Sequence, residues 1–338
     1  MPGGPPTDDT ADPPAPLVSS WQAHADAGEH VAVVRVRNLQ ASIPVGRDAW
    51  GRSGILQPVL LSSEVSFAKP FSGNGATDAG SASGDTDALD AGTVHYGSLS
   101  KTLLASLEML PKRADAKGLA TTVVATEDKA PRTADVLELL WVRMTGRVVD
   151  GSRIALPLDQ IPFLDAAKLR SLVLTIALPK ASLLGAGVSL TTTASFREFT
   201  RKGGDDKVKE QVQSKNPLKS YSRSLRIQGL HVPTLIGVNS NEREAKQMVI
   251  ADVEVDKFDA VDDVHSDLEK IIVETIESSS FQTLEALASH VANRILSDFK
   301  IGDNPAPVKE RGWKVRVCLE KPIAVPFAEC PSVEVIMG

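Results

Sequence analysis

Residues 249–256 read Val-Ile-Ala-Asp-Val-Glu-Val-Asp, and this stretch decides how the C-terminal half folds. Val249, Ala251, Val253 and Val255 alternate with polar Asp252, Glu254 and Asp256, the period of a half-buried strand. Upstream, a strand over about 224–230 can pair with it as a hairpin whose connection contains Glu242. Downstream, Leu268, Ile271, Ile272, Thr275 and Ile276 follow helical spacing. Leu284, Leu287, Ala288, Val291 and Ile295 do so again, after a Ser278-Ser279-Ser280 start signal. Val315, Val317 and Leu319 return to period two, and Val333, Val335 and Met337 form a last strand. The order ββααββ predicts an α+β module, an antiparallel four-stranded sheet with two helices on one face.

The N-terminal half repeats this order with longer insertions, at about 112–130 and 146–168. Val34-Arg-Val-Arg-Asn-Leu39 aligns with Leu225-Arg-Ile-Gln-Gly-Leu230, and at the same offset Gly46 falls on Gly237. Thr93-Val-His-Tyr-Gly97 is set against Asp263-Val-His-Ser-Asp267, Leu137-Glu-Leu-Leu140 against Leu284-Glu-Ala-Leu287, and Leu178-Pro-Lys180 against Leu319-Glu-Lys321. Four short matches in one order argue for duplication. The division is then a disordered tail over 1–28, a first domain over 29–199, a linker over 200–218 and a second domain over 219–338. Within the first domain, the Gly/Ala/Ser/Asp-rich stretch 72–92 reads as a surface insertion. Each sheet would have free edges, and such tandem modules are expected to pair edge to edge, then with another chain.

Bulk properties exclude several classes. A net charge of −6 offers no basic field for nucleic acid, and no apolar run approaches the roughly 18 residues that span a bilayer. Composition, 42% hydrophobic and 24% charged, is that of a soluble globular protein. Two cysteines, Cys318 and Cys330, make a disulfide framework or thiolate metal site unexpected. The Pro- and Asp-rich N-terminus lacks the Arg and apolar core of a leader, so the cytoplasm is expected, with the mitochondrion left open.

The chain resembles the dihydroneopterin aldolases of folate biosynthesis, built on the tunnelling fold. The residues that carry the likeness are Thr93-Val-His-Tyr-Gly97 before a helix, Gly237, Glu242 and Gln247 in a hairpin, Thr283-Leu-Glu285-Ala-Leu at a helix start, and Val-Arg-Val-Cys-Leu-Glu-Lys321-Pro near the end. The tandem form is similar to the N-terminal part of fungal folate-synthesis proteins. The resemblance implies barrel-like rings of modules, four chains in two stacked rings, and a pterin substrate cleaved by retro-aldol chemistry. The pterin ring itself takes up the electron pair, so no cofactor, Schiff base or metal is expected, and His95 and His265 have no recognised ligand spacing around them. The likeness makes Glu285 the pterin anchor, with Leu284, Val94 and His95 beside the ring. A carboxylate can accept two parallel N–H bonds from the ring. It makes Lys321 the general base, a role that requires burial or a nearby positive charge. Glu242 is the loop carboxylate that holds water and the lysine, with Glu244 close by in sequence. Tyr96 would reach the substrate from a neighbouring module.

These groups are unevenly distributed. The first half has no glutamate in the Gly46–Arg52 loop, keeps Glu138 and Lys180 at the aligned anchor and base positions, and carries Tyr96. The second half keeps Glu242, Glu285 and Lys321, with Ser266 aligned to Tyr96. One complete set therefore needs both halves. Two other readings compete: another pterin- or purine-binding enzyme of the same fold, and a non-catalytic scaffold in a folate-pathway assembly.

Overall fold

The computed structural model describes residues 13–71, 94–115, 130–157, 160–198, 215–301 and 311–338, the side chains of 111–115 excepted. The insertion expected over 72–92 and most of the expected tail and linker lie outside the described residues.

The first half runs β1 (Ala32–Pro44), β2 (Leu56–Phe67), α2 (Tyr96–Asp115), α3 (Thr133–Thr145), β3 (Leu169–Leu178) and β4 (Gly187–Phe196), after a short α1 (Ser20–Ala27). The second runs β5 (Leu218–Thr234), β6 (Gln247–Asp256), α4 (His265–Glu277), α5 (Leu284–Asp298), β7 (Lys314–Glu320) and β8 (Ser332–Met337). All eight strands form one antiparallel sheet in sequence order, so β4 and β5 join the halves and β1 and β8 are its edges.

Register explains the apolar alternation. Leu225 and Ile227 lie opposite Val255 and Val253, which in turn face Val315 and Val317, and all six are buried. Helices α3 and α4 lie over β3–β5, and α5 covers β7 and β8. At the second half's centre Trp313 is fully buried between Phe258 and Phe299, with ring centroids 5.2 and 6.0 Å away. Its Nε1 donates to Asp259 at 2.7 Å.

The two halves share one backbone irregularity. β1 is bulged between Val36 and Leu39, and β5 between Ile227 and Leu230, the positions the sequence aligns. Each bulge contains one residue of positive φ, Asn38 at 53° and Gly229 at 59°, the types that tolerate the left-handed region.

Two expectations are corrected. The tail is ordered well before residue 28, because α1 docks on β4 and β5 through polar contacts. Ser20 donates to Asp256 through its backbone N and Oγ, at 2.8 and 2.7 Å. Asp26 accepts from Ser220 Oγ at 2.5 Å. The Ser278–Ser280 stretch does not start α5. Its N-cap is Thr283, whose side chain accepts from the Ala286 amide.

Replacing Trp313 with Ala is expected to lower the unfolding free energy by about 3–5 kcal/mol, read from denaturant titration. A change under about 1 kcal/mol would contradict the core described for the second half.

Candidate functional site

The β5–β6 connection builds the first part of the site. A single 3-10 turn, Ser240–Arg243, follows Asn239. The Asn239 backbone N and Nδ2 both donate to Glu242 Oε2 at 3.0 Å, which turns the carboxylate back over the loop. The room comes from Gly237, at φ 140°, where a Cβ would lie 2.5 Å from Glu242 Cβ. Gln247 closes the hairpin by donating to the Ile236 and Glu242 carbonyls at 2.8 and 2.9 Å.

The other oxygen of Glu242 faces Lys321, which leaves the end of β7. Lys321 Nζ donates to Glu242 Oε1 at 2.5 Å. The two side chains are 7% and 23% exposed, respectively, so the lysine is buried and the carboxylate forms the outer member of the pair. The Lys321 bond and then the Asn239 backbone hold the Glu242 carboxyl down at about 2, against an ordinary 4.5. Lys321's own backbone N donates to the Pro331 carbonyl at 3.2 Å, which fixes the turn into β8. Glu244, by contrast, is exposed at the end of the turn.

Glu285 is the second residue of α5 and is exposed in its first turn, where the helix N-terminus favours negative charge. Leu284 beside it is half-buried. Arg243 links this helix start to the loop, donating to the carbonyls of Gly237, Ser280 and Phe281 at 3.2, 3.0 and 3.4 Å. That brace was missed at the sequence level, where Arg243 is one more polar loop residue.

Tyr96 is elsewhere. It opens α2, which packs on β1, with β2–β7 separating it from the β8 edge. It is 67% exposed and stacks on His95 with centroids 4.9 Å apart. His95 Nδ1 accepts from the Ser98 amide at 3.2 Å, so this histidine serves the helix start, with Val94 half-buried before it.

The alignment of the helices shifts once burial is known. Leu99, Leu103, Ser106 and Leu107 of α2 face inward, as do Leu268, Ile272, Thr275 and Ile276 of α4. This register sets Tyr96 on His265, not on Ser266. Likewise Val136, Leu137, Leu140, Trp141 and Met144 of α3 match Leu287, Ala288, Val291, Ala292 and Ile295 of α5. Glu285 therefore corresponds to Ala134, and Glu138 lies one helical turn too far along to be an anchor. Glu138 instead accepts from the Val149 amide at 2.8 Å, and burial pushes its carboxyl up. Lys180 is exposed, unlike Lys321. Among the described residues, the first half has Ala134 where α5 has Glu285 and no glutamate in the Gly46–Arg52 loop, and its Lys180 is exposed.

Polar contacts close the seam between the halves. Asp263 accepts from the Thr133 amide at the start of α3, at 3.2 and 3.4 Å, and burial raises its pKa. His265, 2% exposed, is held down to about 4 by burial, and its ring Nε2 is buried without a hydrogen-bond partner among the described residues. Glu269 of α4 accepts from the amides of Leu183 and Leu184 at 3.1 and 3.2 Å.

Residues 225–337 match the family model of FolB dihydroneopterin aldolase, so the chain carries a domain of that family in its C-terminal third. Among solved structures, the FolB protein of Vibrio cholerae aligns at 28% identity over 34% of this chain and 95% of its own, TM-score 0.28. Escherichia coli dihydroneopterin aldolase, in complex with neopterin, aligns at 26% identity over 34% of this chain and 98% of its own, TM-score 0.28. A uricase from Arthrobacter globiformis aligns at 10% identity over 92% of this chain and 95% of its own, TM-score 0.43. The curated proteins contain no match to the chain. The mixed α+β architecture, with its antiparallel sheet, is compatible with a tunnelling fold, and no described helix is long and apolar enough to cross a membrane.

Because its folded-state pKa is depressed, Glu242 contributes stability that is fully present above 4.5 and is lost as pH falls through about 2. Glu242→Gln should therefore be less stable than wild type at neutral pH, and the gap should close across that window. A gap that stays constant down to the lower limit would remove the ion pair as its cause.

Proposed function

We propose that the protein is a dihydroneopterin aldolase, an aldehyde-lyase cleaving the side chain of dihydroneopterin to 6-hydroxymethyl-dihydropterin and glycolaldehyde. The observation that carries this reading is the buried Lys321 paired with Glu242, within the segment that matches the family. Isolated buried lysines are rare, and one held at a site's inner wall by a loop carboxylate is suited to proton transfer.

The chemistry assigns a task to each group. Glu285 accepts the ring N–H pair and fixes the pterin at the start of α5. Lys321, ion-paired with Glu242 in the free protein, first gives up a proton to solvent; its amine then takes the proton of the side-chain hydroxyl, and Glu242 stabilises the ammonium that results. As that oxygen becomes a carbonyl, the adjacent carbon–carbon bond breaks and its electron pair moves into the ring C=N system. Glycolaldehyde leaves. A proton returned to the ring-attached carbon, with the Tyr96 phenol as relay, restores the C=N bond and gives the hydroxymethyl product. Recombination of the fragments before release would also epimerise the side chain, a second activity of the same groups.

Lys321→Ala is expected to lower kcat by about 10²–10⁴, the span of a general-base contribution. Glu285→Gln should act chiefly on KM, while Lys180→Ala and Glu138→Gln leave both near wild type. Glycolaldehyde formed from dihydroneopterin by purified protein is the measurement. No release at high protein concentration would overturn the aldolase reading.

A further inference from the structure

The inward row of β5 contains a residue that packing does not call for. Tyr221, Arg223, Leu225 and Ile227 alternate along one face of the strand, and Leu225 and Ile227 are core. Arg223 extends this apolar row with a guanidinium whose side chain is only 11% exposed. The repeat does without it: the aligned position of β1 is Ala32, itself buried. Glu138 of α3, the ion-pair partner of Arg223, lies in register with Ser289 of α5. A charge pair present in one place and missing from its counterpart breaks a local rule, as functional sites do.

Arg223 and Glu138 line a cleft of about 210 Å³ between α3 and the start of β5, with Leu17, Asp150, Tyr221 and Phe258 around it and Asp259 at its side. One water needs roughly 10–15 Å³, and pockets for drug-sized ligands span roughly 300–1,000 Å³. The cleft is scaled to a small metabolite.

Its polar groups are unequally committed. Asp259 accepts from Trp313 Nε1 and is paired with Arg311, each at 2.7 Å. Glu138 accepts from the Val149 amide and Asp150 from the Ser152 amide, both at 2.8 Å and through one oxygen. Arg223 has the least. Its Nε is buried without an acceptor, and Glu138 Oε2 lies 3.7 Å from its guanidinium, beyond hydrogen-bond reach. Among the described residues nothing accepts a hydrogen bond from it. A guanidinium carries five donors, and leaving them unmade in a buried place is costly.

Charge selects the ligand. With Asp259 balanced by Arg311, the cleft sets one cation, Arg223, against two carboxyls, Glu138 and Asp150. A simple anion would satisfy Arg223 but meet both carboxyls. A simple amine would satisfy the carboxyls and leave the guanidinium unpaired. A molecule bearing both charges a few bonds apart answers both needs, and Leu17 and Phe258 give its remainder an apolar wall. We infer that this cleft is a binding site for an α-amino acid, its carboxylate on Arg223 and its ammonium toward Glu138 and Asp150. No residue of the cleft belongs to the Glu242–Glu285–Lys321 group, so the inference stands apart from the function proposed above.

Calorimetric titration of the full chain with each common α-amino acid, with acetate and with ethylamine provides the test. At least one amino acid should bind, and acetate and ethylamine should each bind about tenfold or more weakly. Arg223→Gln should weaken that amino acid by about tenfold or more, the loss of a charge-assisted, two-bond contact. Asp150→Asn keeps an acceptor for the Ser152 amide and should also weaken it; this variant carries the test if circular dichroism shows Arg223→Gln unfolded. Binding of no amino acid would overturn the inference, and so would acetate or ethylamine binding as tightly. Binding that the folded variants leave unchanged would place the ligand elsewhere and overturn it as well. Glycolaldehyde release is read separately, so failure here leaves the aldolase reading where it stands.

Discussion

The pairing of β4 with β5 is the constraint on which the rest depends. Two ββααββ units, each with two open edges, become one sheet with two edges in total, and the ladder from Gly187–Gln228 to Phe196–Leu218 leaves no freedom in how the halves meet. Sheet register is specified wherever a face is buried, since a one-residue slip would turn Val188, Leu190, Leu225 and Ile227 to the wrong side. With the register set, α4 must lie against the first half, and the Asp263–Thr133 contact follows. α1 adds a polar clasp across the same join through Asp256 and Ser220.

Under the proposed function the chemistry falls to the second half. The second half retains a loop glutamate, a buried lysine and a glutamate at a helix start, connected through Arg243 and the short contact between Lys321 and Glu242. In the first half the matching helix start carries Ala134, Lys180 faces solvent, and the Thr133 amide is taken by the Asp263 carboxylate of the other half. His95 and Tyr96 are exposed.

The second half was legible because its apolar periods are uninterrupted. Strand alternation at 249–255 and 315–319 and helical spacing at 268–276 and 284–295 match buried positions, with Ile271 and Leu284 half-buried. The bulge shared by β1 and β5 was implicit in the aligned Asn38 and Gly229. Errors came where short motifs were aligned without knowing which face they bury. The Val-His pairs at 94–95 and 264–265 are adjacent to, but not in step with, the helices that follow, so Ser266 was set where His265 belongs. Leu-Glu at 137–138 and 284–285 slipped by a turn for the same reason. α1 was invisible because it is held by hydrogen bonds to Asp256 and Ser220, distant in sequence, with Ala23 its one buried residue. Burial of Lys321 was likewise a tertiary property, set by Glu242 and the Pro331 turn.

The central claim of the proposed function is that pterin binds at Glu285 beside the Lys321–Glu242 pair. A crystal structure with bound neopterin tests this most directly. The account predicts a pterin ring hydrogen-bonded to Glu285, beside Lys321. A ring bound away from both residues, for example beside Thr133 and His265, would contradict it.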